Sequence, residues 1–201
     1  MIKRPFKRKS GYKDARLIGI ASEDKYASVQ YFEGLAHSDK YKNQRVHVHL
    51  IDKISEASSP THVLKALDSF KKKYELERDD ELWVVVDMDR WQLSEVHQLC
   101  NQKRYHLAVS NKCFELWLLL HLCDLSIYDQ NTLNNFRSLC KHIENELRNI
   151  LGSYNKHHIH IEDFLPGVED AIVRARNLGH NGWPNDLGST VYLLVERIIR
   201  N

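Results

Sequence analysis

Two aspartates one residue apart are the first side chains in this sequence that could do chemistry. Asp87 and Asp89 stand in the stretch ELWVVVDMDRWQ, directly after an apolar run. Side chains alternate along a strand, so both carboxylates are expected on one side. Like charges so close raise each other's proton affinity unless a cation neutralises them. Mg²⁺, or Mn²⁺ in its place, binds such carboxylate oxygens. The pair therefore predicts a metal site, with a solvent-facing surface turn as the alternative.

A third acid, Glu23, follows an earlier apolar run, RLIGIA, at residues 16–21. If both runs are parallel strands of one sheet, their carboxyl ends share an edge, which is where the functional crevice of such sheets lies. An isolated glutamate that opens a helix could instead only favour the helix dipole. Taken together, Glu23, Asp87 and Asp89 predict a metal site that the fold assembles from distant parts of the chain.

The segments that must position these acids alternate between strand and helix patterns. Between the strand runs, YASVQYFEGLA and SSPTHVLKALDSFKKKYE carry helical spacing, and Ser59 and Pro60 are the expected N-cap and first helical residue of the second. Strands joined by helical crossovers form a largely parallel sheet. The sequence thus predicts an α/β fold with a four-stranded sheet flanked by helices, its strands at residues 16–21, 45–51, 82–87 and 105–110.

From about residue 112 the pattern predicts helices alone. CFELWLLLHL is apolar nearly all round, as in a buried helix that packs on the sheet. TLNNFRSLCKHIENELRNIL predicts an amphipathic helix that ends near Gly152 and has Ile150 on its apolar face. Two more helices are expected in VEDAIVRARNLG and GSTVYLLVERIIR. The expected organisation is a basic N-terminal tail over 1–15, an α/β core over 16–125, and a helical C-terminal extension over 126–201 packed on the core.

Positive charge is concentrated at the N-terminus, although the net charge of the 201-residue chain is only +2. A basic segment can lie along the phosphates of a nucleic acid, and the alternative is a solvated chain end. Two arginines on a predicted helix near the loop GHNGWP are further candidates for phosphate contacts. The predicted nucleic-acid-binding residues are Lys3, Arg4, Lys7, Arg8, Lys9, Arg174 and Arg176.

Several other classes of protein are disfavoured. No apolar run approaches the roughly 20 residues that cross a bilayer, and no signal-peptide segment follows the basic start, so we expect a cytoplasmic protein with no membrane contact. The four cysteines form no C-x-x-C pair, which favours reduced, mostly buried thiols over zinc or disulfides. The histidines of KHHIH, residues 156–160, could bind a transition metal or a nucleic acid, but a solvated loop is favoured.

Longer motifs resemble known families. A strand-end glutamate with a D-x-D motif resembles the Toprim fold of topoisomerases, primases and OLD-type nucleases, in which these acids share a Mg²⁺ site. VSNKCFELWLLLHL resembles the RloB family motif S-N-P-x-F-E-x-W-L-L-L-H-F, and NDLGSTVYLLVE resembles that family's closing segment. This sequence departs from the family at several positions. Asp24 stands for a glycine that would favour a tight turn, Lys25 and Ala27 for two glutamates, and Lys112 for a proline.

The resemblance implies a Toprim-like core and a Mg²⁺-dependent endonuclease that acts as an effector of bacterial anti-phage or abortive-infection systems. An ABC-type or OLD-type ATPase encoded nearby is the implied partner, oligomers are possible, and the substrate is DNA or RNA, including tRNA. Within the middle motif, Asn111 could bind the scissile phosphate or a metal-bound water, and Glu115 could be a further acid one helical turn later. Capping of the following helix is the alternative for both. His121 is expected to be a core histidine.

Two other functions stay open on the sequence. VVVDMDR also resembles the first motif of haloacid-dehalogenase phosphatases, in which the first aspartate is a nucleophile, but Glu23 has no role in that scheme. A non-catalytic module that binds nucleic acid or a protein partner is the other alternative, because residues 23–27 lack acids that the resembled family carries.

Overall fold

The computed structural model describes residues 3–8, 14–52, 59–88, 93–129, 133, 138–178 and 187–200. The strands are β1 Arg4–Pro5, β2 Arg16–Ser22, β3 Val46–Leu50, β4 Tyr74–Glu75, β5 Glu81–Asp87, β6 His106–Asn111 and β7 Gly188–Ser189. The α-helices are α1 Ala27–His37, α2 Pro60–Lys73, α3 Leu93–Lys103, α4 Phe114–Leu122, α5 Leu139–Leu151, α6 Val168–Asn177 and α7 Val191–Ile199. Short 3₁₀ turns span Leu125–Ile127, Ile161–Asp163 and Leu165–Gly167.

The main sheet has the strand order β3-β2-β5-β6-β7. Its first four strands are parallel and are the four that the sequence predicts, so the mixed α/β class is confirmed. The fifth strand, β7, runs antiparallel to β6 and was not predicted. A two-residue strand has no hydrophobic period, so the sequence pattern predicts Gly188–Ser189 as the start of the last helix. In the structure that helix begins at Val191.

Each face of the sheet has its own hydrophobic core because side chains alternate along the strands. On β5, Leu82, Val84 and Val86 pack in the cluster that includes residues of α2 and α3. Trp83 and Val85 belong to the opposite cluster, which includes residues of α1, α4 and the C-terminal helices. The alternation assigns Asp87 to the second face, the one that carries α4.

The start of α2 matches its prediction. Ser59 is the N-cap residue and Pro60 the first helical residue. The Ser59 hydroxyl does not cap a backbone N–H; it hydrogen-bonds the side chains of Thr61 (2.8 Å) and His62 (2.6 Å). Pro60, whose φ is fixed and which lacks an N–H, therefore gives the helix start its main local signal.

The C-terminal helices share the core with the sheet. Residues of α5, α6 and α7 lie in the same cluster as α4, and the Arg197 guanidinium of α7 contacts the buried Glu81 carboxylate at the start of β5. Gly152, with φ +78°, ends α5 as predicted, since glycine adopts this left-handed conformation without strain. Ile150 does not join the apolar face as predicted: it is 45% exposed, near the end of the helix.

The N-terminal segment is docked on the core over its described residues. β1 pairs in parallel with β4, and the Phe6 ring packs against Phe70 and Tyr74. Arg8 donates to the Ala15 carbonyl (2.6 Å) and pairs with Glu77 and Asp80 (2.8 Å each). Its side chain is 8% exposed, so Arg8 holds the segment in place and does not present its charge to a phosphate. Lys9 lies outside the described residues.

All four cysteines are free, as the sequence predicts; Cys100 and Cys113 are buried, and Cys123 and Cys140 are half-buried. Across the described part of the chain, no helix is both long enough and apolar enough to span a membrane.

Candidate functional site

Three neighbouring strands bring the predicted residues to one edge of the sheet. Ser22 of β2 lies opposite Val85 of β5, and Asp87 lies opposite Ser110 of β6. Beyond β2, the Glu23 N–H donates to the Val85 carbonyl (2.9 Å). From strand spacing and rise, the Cα atoms of Glu23 and Asp87 are roughly 6 Å apart. The two acids therefore follow adjacent parallel strands at their carboxyl ends, the edge where ligands bind in such sheets.

Asn111 is the last residue of β6, the next strand along this edge. It is 5% exposed and lies opposite Gly188 of β7. The N-cap residue of α4 is Cys113, so the structure does not assign Asn111 the capping role that was its alternative. The side chain of Asn111 thus belongs to the sheet edge.

Glu115, in the first turn of α4, is a buried acid on the same side of the molecule. It is 8% exposed, and the Tyr154 hydroxyl donates to its Oε1 (3.3 Å). Burial raises the pKa of the Glu115 carboxyl, the charges of Asp24 and Glu144 raise it further, and Lys156 opposes them. Burial and neighbouring negative charge therefore disfavour the ionised form of Glu115, and a nearby cation would favour it.

Asp87 and Glu115 act on a common neighbour, the Cys113 thiol. A hydrogen bond with Cys140 and burial raise the pKa of Cys113, and the charges of Glu115 and Asp87 add to the effect. The strand-end acid and the helix acid therefore both lie close to the turn that joins β6 to α4.

Asp24 has a structural role that the sequence did not indicate. Its carboxylate accepts hydrogen bonds from the N–H groups of Tyr26 (3.1 Å) and Ser28 (2.7 Å), where α1 begins. Among the described non-glycine residues only Arg104 has a positive φ, so the aspartate in place of glycine does not strain this turn. Asp24 satisfies otherwise unpaired N–H groups at the start of the helix.

Glu144, Tyr154 and Lys156 were not predicted to lie near the site. Glu144 pairs with Arg148 at i,i+4 (3.1 Å), the pattern of an ordinary solvated helix face. The other two belong to the segment after α5, which carries no strand or helix period. Only the packing of α5 against α4 brings these groups to Glu115, so the sequence held no local signal for them.

The carboxylates suit a hard divalent cation, because Mg²⁺ and Mn²⁺ prefer oxygen ligands. The third predicted ligand, Asp89, lies outside the described residues. Within the described ranges, no group of three His, Cys, Asp or Glu side chains is arranged to hold a metal ion. Glu23 and Asp87 are thus the part of the predicted ligand set whose backbone positions the structure places at the same edge of the sheet.

The predicted phosphate-binding arginines on α6 are engaged away from this edge. Arg174 donates to the Leu120 carbonyl near the end of α4 (2.8 Å). Arg176 pairs with Glu196 (2.7 Å) and lies over the Tyr192 ring. Both arginines therefore tie α6 to its neighbouring helices.

His121 is a core histidine, as predicted. It is 4% exposed, its Nε2 hydrogen-bonds the Tyr31 hydroxyl (3.0 Å), and its Nδ1 hydrogen-bonds the Trp117 carbonyl (2.8 Å). Burial lowers the pKa of His121 to about 4, which keeps the ring neutral at pH 7.

Comparison with known families gives one finding. The family model for RloB-like proteins matches residues 18–198, a range that begins within β2 and ends within α7. Neither the curated proteins nor the solved structures contain a match to the chain. The matched region carries Glu23, Asp87, Asn111 and Glu115 in the places described. On this match the chain belongs to the RloB-like protein family.

Proposed function

We propose that this protein is a Mg²⁺-dependent nuclease of Toprim type that hydrolyses phosphodiester bonds in DNA or RNA. The observation that carries the proposal is the pair of acids, Glu23 and Asp87, on adjacent parallel strand ends, with the buried Glu115 nearby. Membership of the RloB-like family supports it.

In this proposal Glu23, Asp87 and Asp89 would hold the cation, which would supply polarisation of the phosphoryl oxygen and stabilisation of the developing charge. Asn111 orients the scissile phosphate. Glu23 takes the proton of the attacking water or returns a proton to the leaving oxygen. One P–O bond forms to water, one breaks, and the proton ends on the departing hydroxyl.

The proposed setting is cytoplasmic, as the effector of an anti-phage system. An ABC-type or OLD-type ATPase encoded nearby would deliver or restrain the nuclease, whose substrate is DNA or RNA, including tRNA. The effector role, the ATPase partner and the substrate are what the family resemblance implies, and the cytoplasmic setting follows from the sequence pattern.

The test is co-expression of the protein with the neighbouring ATPase in cells that are challenged with phage, followed by sequencing of total DNA and RNA for new ends. We expect new ends with the wild-type protein and none with Glu23→Gln or Asp87→Asn. Glu33→Gln, an exposed acid on α1, is the matched control and should behave like the wild type. New ends that persist in both site variants would assign the cutting to another enzyme.

A binding module without catalysis is the second candidate, and one observation favours it. Asp24 is occupied with the start of α1, and Lys25 and Ala27 supply no carboxylate, so this edge has fewer acids than the resembled pattern. Mg²⁺-independent binding of nucleic acid without turnover would support this candidate. Turnover of small phosphoesters would instead support a haloacid-dehalogenase-type phosphatase.

A further inference from the structure

Two exposed rings meet beside the acids of the sheet edge. Tyr26, three residues after Glu23, is 42% exposed, and its ring centroid lies 4.1 Å from that of the exposed His157, with the planes inclined by 59°. The Tyr26 N–H donates to the Asp24 carboxylate. On the other side, the charge of Lys156 acts on Glu115. Tyr26 follows Glu23 and Asp24 in the chain, and His157 follows Lys156. Each of the two segments that carry the rings therefore also carries a charged residue of the candidate site.

Two amide side chains hold the backbone on which the ring pair stands. Gln30 Nε2 donates to the carbonyls of Tyr26 (3.0 Å) and His157 (3.2 Å), and its Oε1 accepts from the Ile159 N–H (3.3 Å). The Asn155 side chain accepts from the His157 N–H (3.0 Å). The backbone that carries the two rings is thus held, and the rings contact each other, before any ligand arrives, which lowers the entropic cost of binding.

The chemistry of this surface matches an unpaired nucleobase. Bases stack on aromatic rings with little dependence on sequence, because every base has a π-face. Lys156 adds a positive charge for the attached phosphate. In a duplex the bases already stack on each other, and extruding one costs energy. An exposed ring pair beside a phosphate-processing edge therefore selects for single strands.

We propose that Tyr26 and His157 form a stacking platform for an unpaired base of single-stranded DNA or RNA, whose backbone then runs to the acids at the sheet edge. The platform deepens the proposed nuclease function and rests on it for its role as a substrate subsite. It also assigns a nucleic-acid contact to part of the histidine-rich segment, for which the sequence favoured a solvated loop.

The test is fluorescence anisotropy with a labelled oligothymidylate, in EDTA so that no metal-dependent cutting occurs. Tyr26→Ala and His157→Ala should each bind roughly 5- to 150-fold more weakly than the wild type, the range for loss of one base stack. Tyr26→Phe keeps a ring and should bind like the wild type. An oligomer of equal length made of abasic sites has the same phosphates and should bind the wild type as weakly as the oligothymidylate binds Tyr26→Ala.

A matched control is available at the opposite edge of the sheet. The exposed His106 ring stacks on Trp83 (centroids 4.8 Å apart) at the start of β6. His106→Ala removes a stacked imidazole there and should leave oligothymidylate binding unchanged.

Three results would overturn the platform. They are equal affinity for the thymidylate and abasic oligomers, wild-type affinity in Tyr26→Ala, or no binding of single strands by the wild type. If Tyr26→Ala binds normally but unfolds more easily, the rings only fasten the segment to α1. Stacking-dependent binding without any cleavage would support the platform and refute the nuclease function. Cleavage by Tyr26→Ala with an unchanged KM would support the nuclease function and refute the platform.

Discussion

At the scale of single residues, burial decides which charges the protein can hold. Glu115 is buried beside other acids, so its carboxylate form is disfavoured in the folded chain. His121 is buried among aromatic rings, so its charged form is disfavoured. Both residues lie on α4, which therefore carries a polar group at each end of an otherwise apolar helix.

His121 predicts a loss of stability in acid. Its pKa is near 6.5 in the unfolded chain and about 4 in the folded one, so its stabilising contribution is full above pH 6.5 and is lost as the pH falls through 4. The loss attributable to this residue is about 3 kcal/mol. Urea denaturation at pH 7 and pH 4 should show that His121→Gln loses less stability between the two than the wild type.

The control for this measurement is His97→Gln, the same substitution at an exposed position of α3. An equal loss of unfolding free energy between pH 7 and pH 4 in His121→Gln and in the wild type would contradict this prediction. It would mean that His121 has the same pKa in the folded and the unfolded chain.

At the scale of elements, one glycine lets the segment after α5 approach α1. A Cβ on Gly34 would lie 2.7 Å from Cγ1 and 2.8 Å from Cβ of Ile161, closer than atoms in contact can pack. Ile161 follows the residues that Gln30 fastens to the same helix. The absence of a side chain at Gly34 therefore fixes how closely the segment that carries His157 lies against α1.

Gly34→Ala should destabilise the protein despite its better helix propensity. Alanine gains about 1 kcal/mol over glycine inside a helix, whereas overpacking costs about 1–3 kcal/mol. Chemical denaturation of Gly34→Ala, of Ile161→Ala and of the double variant gives the coupling energy between the two positions. We expect the second substitution to relieve the first. A Gly34→Ala protein at least as stable as the wild type would show that the segment moves aside without cost.

At the scale of the whole molecule, a mainly basic recess lies at the edge of the sheet opposite the candidate site. The helices run back across the sheet, so the basic ends of α2 and α3 lie at the amino ends of the strands. A recess there is lined by Lys3, Lys71, Lys72, Lys103 and Arg104, with Asp68 and Tyr105. The seven-residue strand β5 separates this edge from the acids by roughly 20 Å. The exposed Lys3, Arg4 and Lys7 therefore lie away from the acids, and their contact with a nucleic acid stays a prediction.

The sequence predicts those elements that show a hydrophobic period or that begin or end at a residue typical of a helix end. Four strands, the start of α2 at Pro60 and the end of α5 at Gly152 all follow from such signals. It does not predict β7, which is too short to show a period, or the docking of residues 3–8, which depends on the single ring of Phe6 and on Arg8. The surroundings of Glu115 were also hidden, because tertiary packing alone brings Glu144 and Tyr154 to it.

Calorimetric titration of the purified protein with Mn²⁺ tests the proposed metal site most directly. We expect the wild type and Glu33→Gln to bind the ion, and Asp87→Asn and Glu23→Gln to lose that binding while they keep the wild-type circular dichroism spectrum. Because carboxylate oxygens supply the attraction, each amide substitution removes one ligand charge without changing side-chain size. Equal Mn²⁺ binding by the wild type and by Asp87→Asn would contradict a metal site at this edge of the sheet.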